Sequence, residues 1–133
     1  MYHTYRCCLL TFTILFLATY SGCSGGPGYK VVPFEGTITY KGQPLENVNL
    51  DFAVENYRTS GALVLAGGKF KAVHSPSKLG VPVGKCILRI GKSSIDAQYP
   101  PEYQELFAKY GRESAGYVFD VKKAEKDFKI DLE

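Results

Sequence analysis

The sequence predicts an all-β protein: a sandwich of about seven short antiparallel strands behind an N-terminal export signal. Three observations predict it. Apolar and polar residues alternate with period two in run after run from Phe34 to Leu132. Turn-forming clusters rich in Gly, Pro and Lys separate those runs. The one stretch with helical spacing is short, Glu102 to Tyr110. At 133 residues there is room for one domain, and 45% apolar content is ordinary for a globular chain.

The N-terminus reads as an address rather than as structure. Met1 to Arg6 is short and polar, with one basic side chain. Cys7 to Ala18 is apolar apart from Thr11 and Thr13, and the small residues Ser21 and Gly22 precede Cys23. That order is the charged, apolar and small-residue pattern of a secretory signal, assigned to residues 1–22. The apolar run falls short of the roughly 20 residues a membrane-spanning helix needs. After Cys23 comes Ser-Gly-Gly-Pro-Gly, the composition of a flexible tether, assigned to residues 23–31. The domain proper is residues 32–133.

The strands follow in order. Phe34, Ile38 and Tyr40 share one parity; Glu35, Thr37 and Thr39 share the other. Lys41-Gly42-Gln43-Pro44 is a turn. Val48, Leu50, Phe52 and Val54 then alternate with Asn47, Asn49, Asp51 and Glu55, so these two runs are expected to form an antiparallel hairpin with one apolar face. Ala62 to Leu65, a turn at Ala66 to Lys69, and a short return strand Phe70 to Val73 come next. Pro82, within Gly80 to Gly84, argues against a central strand there. Lys85 to Ile90 puts Cys86, Leu88 and Ile90 on one face. Tyr117, Phe119 and Val121 form one closing run, and Phe128, Ile130 and Leu132 the other, across the charged turn Lys122 to Asp127. Ile38, Leu50, Phe52, Leu88, Phe119 and Ile130 are the expected shared core.

Between the strands, Ser93 to Ser114 is long for a compact domain, so it must either have a function or pack on its own. Glu102 to Tyr110 places Tyr103, Leu106, Phe107 and Tyr110 at the i, i+3, i+4, i+7 spacing of one helix face. With Tyr99 and Tyr117 these aromatics are expected to form a satellite core under the insertion. The alternative is an exposed surface that stacks on a ligand, and its candidate binding residues are Tyr99, Tyr103, Phe107 and Tyr110.

Little else in the chain carries chemistry. The formal charge is +3; setting Arg6 aside leaves 15 basic against 13 acidic residues, or +2. That balance lacks the concentrated basic face a nucleic-acid partner requires. Lys122, Lys123 and Lys126 are interrupted by Glu125 and Asp127 and read as a solvated turn. Beyond the leader and Cys23 the one cysteine is Cys86, so no disulfide framework is available, and its strand neighbours mark it as a buried inert thiol. His74, beyond the signal the only histidine, reads as a surface loop residue before Pro76. Zinc needs more Cys, His or carboxylate ligands than this. Asn47, Asn49 and Asp51 have the every-second-residue spacing of a calcium loop, but in a strand they form its outward face. No cofactor, metal or catalytic residue is expected.

Two resemblances add to this. Ser21-Gly22-Cys23 resembles the end of a bacterial lipobox, which implies cleavage before a lipidated Cys23 and anchoring to a membrane; the alternative is an ordinary secretory signal. The run Glu35 to Leu45, then Val48 to Phe52, Gly68-Lys69-Phe70, Gly80 to Lys85, Pro100 to Tyr103 and Phe128 to Leu132 are similar in order to the carboxypeptidase-regulatory-like, transthyretin-like domains of short bacterial lipoproteins. This resemblance implies an immunoglobulin-like, prealbumin-like seven-stranded sandwich and carries over no catalytic residue. The expected function is a non-enzymatic, lipid-anchored module of the cell envelope acting in adhesion, assembly or scaffolding, with an envelope protein or polysaccharide as partner. The alternative is a small-ligand or carbohydrate-binding module using the aromatic insertion, residues 99–117.

Overall fold

The structure, a computed structural model, describes residues 28–133. The signal segment, Cys23 and the front of the tether lie outside the described residues. Strands dominate, in the order β1 (Val31–Val32), β2 (Phe34–Tyr40), β3 (Gln43–Pro44), β4 (Val48–Val54), β5 (Ser60–Leu63), β6 (Lys69–Lys71), β7 (Val73–Ser75), β8 (Lys78–Leu79), β9 (Val81–Pro82) and β10 (Gly84–Lys92). One short helix, α1 (Glu102–Tyr110), precedes β11 (Tyr117–Val121) and β12 (Glu125–Leu132). A six-stranded sheet runs β11-β10-β4-β5-β7-β8, and a four-stranded one is β12-β2-β3 with β6 also on β2. β1 and β9 make a small two-stranded ladder.

The apolar faces of the two larger sheets meet in one core, as an all-β sandwich requires. Phe34 on β2 meets Phe52 on β4 with ring centroids 5.9 Å apart, and Phe52 meets Phe70 on β6 at 5.7 Å. Ile38, Leu50, Phe52, Leu88 and Ile130 are buried as their parity predicts, while Phe119 is half-buried and stacks on Phe34 and Phe128. Among the described residues every buried apolar residue lies between Val32 and Leu132, so the core they form is built from the chain beyond the tether.

Three expectations are corrected. First, β2 and β4 are not a hairpin; they sit at the centres of different sheets. Each has one apolar face, and each buries it against the other across the core. The link between them is pinned to both sheets: Leu45 N–H donates to Ile38 O at 3.1 Å, and Asn47 N–H to Val64 O at 3.0 Å. Second, the sheets are not antiparallel throughout. β12 runs parallel to β2, entering beside its start where Glu125 N–H donates to Pro33 O at 3.0 Å. Third, the seven runs become twelve strand segments. The expected run Phe70 to Val73 divides at Ala72, where the chain leaves β2's sheet to pair with β5 in the other. Pro82 lies in the small β1–β9 ladder, away from any central position.

Candidate functional site

His74 is the first residue whose setting differs from its sequence reading. It is not a surface loop residue: it lies in β7, buried, one position beyond the expected end of that strand. Its Nδ1 is 2.9 Å from Ser60 Oγ, and its Nε2 is 2.6 Å from the Tyr29 hydroxyl. A neutral imidazole offers one donor and one acceptor, and each hydroxyl can take the complementary part, so both bonds form in either tautomer. Tyr29 in turn stacks on Tyr57 with centroids 4.2 Å apart. The last residues of the tether segment are thus fastened to the sandwich: Tyr29 by this cluster, and Lys30 through its carbonyl, which accepts from Val83 N–H at 3.0 Å.

The cluster pairs a hydroxyl with a histidine, but Ser60 is fully buried, so no substrate reaches its Oγ. The charges that act on the imidazole are the cations Arg58 and Lys78. Burial first, and then these two cations, hold the His74 pKa below its ordinary value of 6.5. The sign follows from linkage. Between the unfolded and folded pKa values the unfolded chain binds more protons, so the fold loses stability as pH falls below about 6.5. Melting from pH 7.5 to pH 5 should show a drop in Tm that is absent in His74→Gln. An equal drop in both proteins would remove His74 as the cause. The Glu105 carboxyl, held below its usual range chiefly by Lys41, titrates in a more acidic window and does not confuse the comparison.

Cys86 is fully buried, and burial pushes its thiol up to about 12, so it is not a thiolate at neutral pH. Asn47, Asn49 and Asp51 each have separate partners: Ser93 Oγ donates to Asn47 Oδ1, Asn49 Nδ2 donates to Lys92 O, and Asp51 faces Arg112 at 3.5 Å. Among the described residues no three His, Cys, Asp or Glu side chains converge for a metal ion. Lys122 and Lys123 are exposed in the β11–β12 connection, and Lys126 is exposed within β12, so the expected charged turn to Asp127 is shorter and ends at Ala124.

The aromatic insertion is helical where its spacing predicts. Pro100 and Pro101 start α1, with Tyr103 N–H donating to Pro100 O at 3.0 Å. Glu102 and Glu105 lie in its first turn and Lys109 in its last, which suits the helix dipole. Leu106 is fully buried; Tyr99, Tyr103, Phe107 and Tyr110 are half-buried against the main core. Tyr103 stacks on Tyr99 at 5.8 Å, and Phe107 stands edge-on to Tyr99 at 5.2 Å. Their polar tips are also engaged. The Tyr99 hydroxyl donates to Asn47 O at 3.0 Å and accepts from Ser93 N–H at 2.8 Å. Tyr103 accepts from Glu46 N–H at 3.3 Å, and Tyr110 donates to Glu133 O at 3.0 Å.

One hydroxyl is different. Tyr40, at the end of β2, is buried, and its oxygen is the one buried side-chain polar atom among the described residues with no partner of good hydrogen-bond geometry; Lys41 and Glu105 stand close enough to engage it loosely. The sequence places it in the core by parity and gives no sign of this. Lys41 Nζ sits 5.1 Å from the centre of its ring and 2.7 Å from Glu105 Oε2 of α1. The hydroxyl thus lies beside an exposed ion pair. Hydrogen bonding to Glu105 first, and to the Tyr40 hydroxyl second, raises the pKa of Lys41. Alongside opens a cavity of about 240 Å³ lined by Tyr40, Gln43, Pro44, Leu45 and Tyr103, with Lys41 and Glu102 at its polar positions. No protein-family model, curated protein or solved structure matches the chain.

Proposed function

We propose that the chain is a non-catalytic, lipid-anchored module of the bacterial cell envelope, acting in adhesion, assembly or scaffolding. On this reading it is an immunoglobulin-like, prealbumin-type domain of the carboxypeptidase-regulatory-like kind, exported and held on a membrane through Cys23. The observation that supports it best is where the reactive side chains sit: Ser60, His74 and Cys86 are shut inside the sandwich. The tyrosines of the insertion spend their hydroxyls on holding α1 in place. With Tyr29 fastened to His74, the six links from Cys23 to Tyr29 reach at most roughly 20 Å, so the domain rides close to the membrane. One acyl chain anchors weakly, whereas the several chains of a bacterial lipoprotein hold stably.

Growing cells with a fatty-acid analogue should label the wild-type protein and not Cys23→Ser. Equal labelling of both, or of neither, would remove the anchor. Residues 24–133 used as bait in envelope extract should retain a protein or polysaccharide; retention of nothing above a bead control would count against a scaffolding role. A second reading, a small-ligand or carbohydrate-binding module, is favoured by one observation: the cavity of about 240 Å³ beside Tyr103, in the aromatic insertion.

A further inference from the structure

We infer that the end of the sandwich where the tether enters is a docking face for an anionic lipid bilayer. The inference rests on the anchored reading above and adds which side of the domain meets the membrane. Strand directions fix what this end contains. β4 runs into the turn at residues 55–59, and β5 leaves it. β7 is antiparallel to β5, with Val73 opposite Gly61, so its turn to β8 at residues 76–77 lies at the same end. β10 starts here, with Cys86 opposite Val54, and β11 finishes here, with Val121 opposite Gly84. Residues 122–124 then lead to β12, which enters beside the start of β2. Tyr29 stacks on Tyr57 of the first turn, and Lys30 O accepts from Val83 N–H just ahead of β10. The tether therefore arrives among these same loops.

The loops are basic. Lys30, Arg58, Lys78, Lys85, Lys122 and Lys123 come from five separate segments and meet only through the fold. All are exposed except Lys78, which is half-buried. Among the described residues the ion pairs belong to Lys41, Lys71 and Arg112, so none of these six is committed to one. The acids at this end are Glu55, Asp120 and Glu125, with Asp120 opposite Lys85 in the β10–β11 ladder. From Asn56 to Ile95 the chain has no Asp or Glu, so no near neighbour in sequence offsets Lys78 or Lys85. Each Lys or Arg close to an anionic bilayer adds a modest attraction that fades within a Debye length, ~10 Å at 0.1 M salt. The tether brings this end into that range: its links from Cys23 to Tyr29 span about 13 Å as a flexible Gly-rich chain. Tyr57, exposed beside Arg58, adds a ring of the kind that settles at headgroup level. A weak surface is enough, because anchoring raises its effective concentration. An acidic polysaccharide would match the charge, but the tether leads to the bilayer.

The test uses residues 24–133, which hold every buried apolar residue among those described and cannot be lipidated at Cys23. Phosphatidylcholine vesicles with about one third phosphatidylglycerol should sediment the protein at about 0.1 M salt and release it at about 1 M, where the Debye length is ~3 Å. Vesicles of phosphatidylcholine alone should not sediment it. The triple variant Arg58→Gln, Lys122→Gln, Lys123→Gln should bind at least about tenfold more weakly. Lys92→Gln, Lys109→Gln, Arg112→Gln loses the same charge away from this end and should bind within about twofold of wild type. The chain has no Trp, so single reporters locate the contact. Emission from Tyr57→Trp should shift to the blue on anionic vesicles, and emission from the fully exposed Ile95→Trp should not. The proposal is overturned if anionic vesicles sediment no more protein than neutral ones, or if both triple variants weaken binding alike. It is also overturned if the Ile95 reporter shifts and the Tyr57 reporter does not, or if the protein binds polygalacturonate, an acidic polysaccharide, and not vesicles. None of these outcomes involves Cys23, so a failure here leaves the anchor standing, and failed fatty-acid labelling leaves this face standing.

Discussion

Truncating Phe52 to alanine is expected to cost about 3–5 kcal/mol, the usual loss for a fully buried phenylalanine. Phe52 has no exposed surface, and its ring meets Phe34, Phe70 and Phe119 from three strands of both sheets. The cavity left behind would sit where the two sheets face one another, and neither can close onto it without shifting its own ladder. A small domain has about 5–15 kcal/mol in all, so the variant should be largely unfolded at moderate denaturant. Asp51→Ala next to it should change stability by no more than about 0.5 kcal/mol. Its carboxylate faces Arg112 at 3.5 Å, and Arg112 is itself well exposed. Denaturant midpoints decide the matter. A larger loss for Asp51→Ala than for Phe52→Ala would mean that β4 presents the opposite face to the core.

The contrast between these neighbours marks what the sequence makes legible. Period-two alternation depends only on which side of a strand is wet, so β4 and β10 emerge near their observed bounds with the right residues inward, whereas β12 is legible only from Phe128 on, its first three residues reading as a charged turn. The helix is legible for a similar reason, since Tyr103, Leu106, Phe107 and Tyr110 repeat at its own period. Pairing is another matter. β2 and β4 show the same alternation whether they lie side by side or face one another across a core, and the sequence holds no term that separates the two. The parallel closure of β12 on β2 joins the two ends of the domain, with no local turn to announce its direction.

The sites were hidden in the same way. His74 precedes Ser75-Pro76, a turn signal, yet Phe70, Ala72 and His74 share a parity that extends the strand by one more inward position. That parity was the available clue. Its partners were not available, because Tyr29 lies 45 residues away in sequence and Ser60 lies 14 away. Tyr99, Tyr103, Phe107 and Tyr110 were legible as a group, and the structure brings them together on the core. Tyr40 was not, because parity places a side chain inside without showing whether its polar tip finds a partner there.

A methyl group at Gly36 is expected to be among the most damaging of the small changes, at the upper end of the roughly 1–3 kcal/mol that overpacking costs, or beyond it. Gly36 stands in the middle of β2, opposite Phe128 of β12 on one side and Phe70 of β6 on the other. The irregular register between Glu125 and Phe128 brings the Phe128 carbonyl over the glycine, and a Cβ there would overlap that oxygen and its carbon. The obstacle is backbone, so no side-chain rotation relieves it. β12 would have to move away from β2, taking with it the parallel ladder from Lys129 to Leu132 and the buried Ile130 and Leu132. Gly91→Ala is the matched control. It lies in β10, has no atom within 4 Å of the added carbon, and is expected to be neutral or slightly stabilising through the unfolded chain. Denaturant melts give the two stabilities, and amide exchange across Lys129 to Leu132 locates the damage. Fast exchange confined to that stretch in Gly36→Ala is the expected pattern. If Gly36→Ala melts as the wild type does, the carbonyl does not cover Gly36, and the bulged approach of β12 to β2 must be redrawn.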